Sequence, residues 1–153
     1  MGTDIWVHVE YRDHRRRKYK HIDKDFYIRR SYLLFDILAG GRGRREPIYS
    51  QRGLPDDITR ETYREFKGGE DDFHDMSWLT TLEYRRCLDR YHTIETATEE
   101  KSPSEERKWR QDYISSDNIM ESDTVKDAEF IYQAMKASED KGNSARIVFW
   151  FDN

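Results

Sequence analysis

Apolar residues alternate from Ile5 through Val7 and Val9 to Tyr11, with Trp6, His8 and Glu10 between them. A period of two predicts a β-strand with two chemically different faces. At the other end Ile147, Val148, Phe149, Trp150 and Phe151 form an unbroken apolar run. Such a strand needs cover on both faces, so it is predicted to lie inside the sheet, sandwiched between helices or buried against a second copy of the chain.

Between these strands the period lengthens. Ser31 is placed to cap a helix carrying Tyr32, Leu33, Phe35, Ile37 and Leu38, which Gly40 and Gly41 stop. From Ile58 to Lys67, Ile58 faces Thr62 and Tyr63 faces Phe66 at helical spacing, up to Gly68 and Gly69. Ser77 is expected as the N-cap of an amphipathic helix with Trp78, Leu79, Leu82, Leu88 and Tyr91. Ser122 or Asp123 is expected to cap another, with Val125, Ala128, Ile131, Tyr132 and Met135, ending near Gly142. Trp109, Tyr113 and Ile114 suggest a short helix before it.

Residues 12–20 crowd six cations around Asp13 and His14, which suits an exposed hairpin turn, with Asp25 to Arg29 as the return strand. Residues 40–55 and 70–76 read as loops, and residues 95–106 as a mobile linker or insertion. Few strands, mostly terminal, and no regular strand–helix–strand alternation predict an α+β domain spanning 1–153, its small sheet containing both terminal strands and packed with four or five helices.

Composition sharpens this picture. Hydrophobic residues make up 35% and charged residues 38%, a balance that would approach disorder without the 14% aromatics, whose large rings supply a core. A net charge of −4 argues against a general nucleic-acid-coating protein. Cys87 stands alone, so no intrachain disulfide or thiolate cluster forms and a reducing compartment is expected. No leader and no membrane span are expected, and Trp6 stands where a myristoylation signal would carry Ser or Thr.

Four segments stand out in order: Met1-Gly2-Thr3-Asp4-Ile5, Arg52-Gly53-Leu54-Pro55-Asp56-Asp57, His74-Asp75-Met76-Ser77-Trp78-Leu79-Thr80 and Arg146-Ile147-Val148-Phe149-Trp150-Phe151-Asp152-Asn153. Together they resemble a family of short, uncharacterised tailed-bacteriophage proteins. The family's opening motif usually carries histidine where this chain has Trp6, which speaks against a metal role at that position. The resemblance implies an accessory protein acting in the host cytoplasm. By analogy of setting, it also implies a counter-defence role through binding a nucleotide immune signal.

The glycine-rich stretch 40–45 brings Arg42, Arg44 and Arg45 near Arg52. Backbone amides and guanidinium forks of this kind hold phosphate, although neither the Walker nor the dinucleotide spacing is present, and a solvated helix C-terminus explains the same residues. Asp71, Asp72, His74 and Asp75, joined by Asp4 and His8, carry the donor types of a divalent-metal site, but no zinc-type spacing supports one and helix capping accounts for several of them. The basic run 12–20, with Tyr11 and Tyr19, offers nucleic-acid contacts that the overall charge opposes. Cys87 falls in mid-helix, away from the helix N-terminus that would activate a thiol.

The leading expectation is a non-enzymatic protein, without cofactor, that sequesters a small phosphorylated ligand. Arg42, Arg44, Arg45 and Arg52 would meet phosphate, while Trp6, His8, His74 and Trp78 supply stacking or base contacts. One alternative is a protein-interaction module inhibiting a host factor; the other is a metal-dependent phosphoester hydrolase built on Asp4, His8, Asp72 and His74.

Overall fold

The computed structural model describes residues 2–40, 45–97 and 121–153. The two terminal strands, β1 (Asp4–Arg12) and β4 (Ser144–Asp152), pair antiparallel over their whole length, Asp4 opposite Asp152 and Arg12 opposite Ser144. β2 (Lys20–His21) pairs with the far end of β1, and β3 (Phe73–Thr80) lies on the other side of β4. The antiparallel sheet has the order β2-β1-β4-β3, so the apolar C-terminal strand is interior, as its composition requires.

The helices divide between the faces. α1 (Tyr32–Ala39), α3 (Thr81–Ala97) and α4 (Glu121–Asp140) share the main core with Ile5, Val7, Val9, Leu79, Ile147, Phe149 and Phe151. α2 (Arg60–Lys67) covers the opposite face, where Phe66 meets Val148 and Trp150. Phe66 packs edge-on to Trp150 at 5.3 Å, and Phe73 and Trp6 extend the aromatic layer. Burying a ring such as Phe66 contributes about 1.5–3 kcal/mol. β4 is thus covered on both faces within one chain, which makes the sandwich the observed solution. Among the described residues no helix is long and apolar enough to cross a membrane.

Local signals explain several boundaries. Ser31 accepts a hydrogen bond from the Leu34 amide, and Gly40 closes α1 at φ +68° in the left-handed region, where a β-carbon would be strained. Thr59 caps α2 by accepting from the Thr62 amide. α4 ends before Gly142, at φ +89°.

Several expectations are corrected. Ser122 and Asp123 do not cap α4, because both lie within it. The return strand is Lys20–His21, not Asp25–Arg29, because the turn after β1 closes sooner and residues 25–29 are irregular, with Phe26 and Ile28 buried in the core. Ser77 caps no helix: residues 73–80 are a strand, and α3 starts at Thr81 behind a reciprocal cap. The Thr80 amide donates to the Glu83 carboxylate at 3.0 Å while the Glu83 amide donates to the Thr80 hydroxyl at 3.3 Å. The hairpin turn at 12–20 is exposed as expected, organised by Asp13, which accepts from the amides of Arg15 and Arg16. Residues 98–106 of the expected linker and the expected helix near Trp109 lie outside the described residues.

Candidate functional site

β2 occupies only the end of β1, where His21 pairs with Glu10 and Lys20 with Tyr11. The Ile22 amide then donates to the Val9 carbonyl at 2.9 Å, after which the chain peels away in two tight turns, Lys24 to Ile22 and Phe26 to Lys24. Because backbone groups alternate sides along a strand, those of Ile5 and Val7 point to the same edge as those of Val9. Among the described residues no backbone hydrogen bond joins them to residues 23–28. The edge of β1 from Asp4 to His8 therefore borders a cleft of about 870 Å³, closed on one side by residues 23–27 and on the other by α2.

The cleft is predominantly acidic. Asp4, Asp23, Asp25, Glu61, Glu65 and Asp152 line it, against Lys24 and Arg64. Asp4 is engaged by the Arg30 guanidinium at 3.0 and 3.1 Å, and Asp152 accepts the Trp6 indole N–H at 2.8 Å. Asp25, Glu61 and Glu65 are exposed and make no side-chain hydrogen bond or ion pair among the described residues.

A chain of hydrogen bonds runs along one wall. Asp23 stands 2.9 Å from His21 Nδ1, and His21 Nε2 stands 2.9 Å from His8 Nδ1. The carboxylate can only accept from His21 Nδ1, while donor and acceptor in the His21–His8 bond follow from the tautomers of the two rings. His8 also stacks on Trp150, with centroids 5.2 Å apart. Burial, then the charge of His21, lowers the His8 pKa to about 4, so its ring is neutral at ordinary pH.

Of the expected phosphate cluster, Arg45 and Arg52 fall among the described residues. Arg42 and Arg44 lie outside them; Arg45 borders a separate hollow with Gly40, Pro47 and Gln51. Arg52 is taken up by Glu83, by the Trp78 carbonyl at 3.1 Å and by the Trp78 ring at 4.7 Å. That fork and the Thr80 amide hold the Glu83 pKa down at about 2. Arg52 is exposed, but with its guanidinium engaged by Glu83 and Trp78 it pins a loop and is not a free anion ligand.

Of the expected aromatic contacts, Trp6, His8 and Trp78 share the face under α2, whereas His74 lies against Phe151 on the other face, beside Asp75 at 2.8 Å. The metal candidates are likewise scattered. Asp4 and His8 border the cleft, Asp71 and Asp72 form an exposed turn, and no group of three metal-ligating side chains converges among the described residues. Cys87 is buried in α3, and burial pushes its thiol up to about 12, so it is no nucleophile.

The expected loop at 70–76 is instead a 3-10 turn, Glu70–Asp72, running into the start of β3, and residues 51–53 of the other expected loop meet it there. Gln51 donates to Asp75 at 2.8 Å and the Gly53 amide to the Met76 carbonyl at 3.0 Å, at a β-bulge where Asp75 has φ +55°. Residues 51–53 thereby cover part of the outer edge of β3. His21, Asp23, Asp25, Glu61 and Glu65 were not foreseen as site residues. The only trace in the sequence is that Glu61 and Glu65 stand one helical turn apart.

No family model matches the chain, nor does any curated protein or solved structure.

Proposed function

We propose that the protein is an interaction module that captures an extended, cationic polypeptide segment along the edge of β1. One observation carries this reading: the outward backbone groups of Ile5 and Val7 border a large, acid-lined cleft, while residues 51–53 bond to the other sheet edge. An open edge is a template for strand addition, in which main-chain hydrogen bonds supply affinity and side-chain contacts supply selectivity. Besides Asp4, which Arg30 pairs, five carboxylates face two cations, a balance that attracts Lys and Arg and repels phosphate. In the setting that the phage resemblance implies, the captured segment belongs to a host protein.

The nucleotide reading rests on Arg42, Arg44, Arg45 and Arg52 for phosphate and on Trp6, His8, His74 and Trp78 for stacking; of these, Trp6 and His8 sit among carboxylates. Titration with extended Lys- or Arg-bearing peptides, their Glu-bearing counterparts and a panel of linear and cyclic nucleotides separates the two, with calorimetry as the readout. The cationic peptides are expected to bind, more weakly at high salt, and the other two classes to fail. Saturable nucleotide binding without peptide binding would overturn the proposal in favour of the phosphorylated ligand.

A further inference from the structure

Resting on that reading, we infer that the cleft selects an alternating segment, cation–apolar–cation, with its cations turned toward α2. Side chains on an added strand point alternately to the two faces of the sheet it extends. On one face the neighbours are Trp6 and His8 of β1 and Glu61 and Glu65 of α2. On the other, the apolar row of Ile5 and Val7 continues toward Phe26, which belongs to the main core.

Apart from Arg64, which also borders this side, the groups here suit a cation. Glu61 and Glu65 are exposed carboxylates with no partner among the described residues. The Trp6 N–H is held by Asp152, which fixes the indole whose face attracts cations.

The spacing agrees as well. Four residues of helix advance about 6 Å. Alternate residues of a strand stand about 7 Å apart. Two cations at positions i and i+2 of the occupant can therefore address Glu61 and Glu65 together, with one apolar side chain between them turned to Phe26.

Two peptides of identical length, composition and net charge test this: one alternates Lys and Val, the other groups them in blocks. Affinity is measured by calorimetry and docking by amide exchange at Ile5 and Val7. The alternating peptide is expected to bind at least about tenfold tighter, a difference of about 1.4 kcal/mol. The double variant Glu61→Gln and Glu65→Gln, both exposed positions, is expected to erase most of that preference while leaving the fold intact by circular dichroism. Equal affinities, with Ile5 and Val7 protected by both peptides, would overturn the alternation and leave strand addition standing. If neither peptide binds, or if a second copy of the chain protects the same amides without peptide, strand addition by a cationic segment falls with it.

Discussion

At the scale of single residues, the most constrained position is Arg146. It sits directly across from Glu10 in the β1–β4 ladder, and both side chains are almost fully buried. Its Nε donates to Glu10 at 2.8 Å, its fork reaches Asp57 at 2.7 Å, and Tyr19 from the hairpin turn lies flat over it at 3.5 Å. The second Glu10 oxygen accepts from the Thr59 amide and from the hydroxyls of Thr59 and Thr62. One charge pair thus fastens β1, β4, the start of α2 and the basic turn. Removing one partner of a buried pair leaves the other charge uncompensated. Arg146→Ala is expected to destabilise the fold by about 3 kcal/mol, the lower end of that class because the threonines still serve Glu10. Urea denaturation checks this, and a loss under about 0.5 kcal/mol, as for a surface position, would refute it. The alternation of β1 was legible from the sequence and placed Glu10 opposite the apolar row. That its partner would be Arg146 was not, since it depends on register with a strand at the far end of the chain.

At the scale of elements, packing overrode local propensity in one place and a cap decided another. Trp78 and Leu79 look like the first turn of an amphipathic helix, yet Leu79 is buried in the main core while Trp78 packs on the opposite face, as strand neighbours do. The start of α3 was nevertheless written in Thr80-x-x-Glu83, a reciprocal cap that the apolar residues before it obscured.

Glu83 does double duty by gripping Arg52, and its carboxyl titrates near 2 instead of the ordinary 4.5. A carboxylate whose pKa is depressed by folding contributes stability that is complete above its unfolded pKa and is lost as pH falls through the folded one. The stability difference between wild type and Glu83→Gln is therefore expected to be constant near neutrality and to shrink between about pH 4.5 and pH 2. Denaturation across that range measures it. A difference that stays level down to pH 2 would show that the Arg52 contact does not carry the effect.

At the scale of the whole molecule, the architecture was more legible than the site. An apolar terminal strand, an alternating one and helical spacings between them suffice to predict a helix-covered sheet. Arg42, Arg44, Arg45 and Arg52 attracted attention because they are close in sequence. In the fold Arg52 bonds to Glu83, thirty-one positions away. The cleft shows the converse: Asp25, Glu61 and Asp152 come from three separate segments, and nothing local announces that they will line one space. Which sheet edge stays open was also hidden, because it depends on where residues 22–28 leave β1.

The open edge of β1 is expected to accept a strand. Amide hydrogen exchange of Ile5 and Val7 by NMR, with and without a saturating extended cationic peptide, tests it most directly. Both amides are expected to exchange at least about tenfold more slowly in the complex, as edge groups do once hydrogen-bonded. Unchanged exchange at Ile5 and Val7 under saturating peptide, or protection confined to β3, would contradict it.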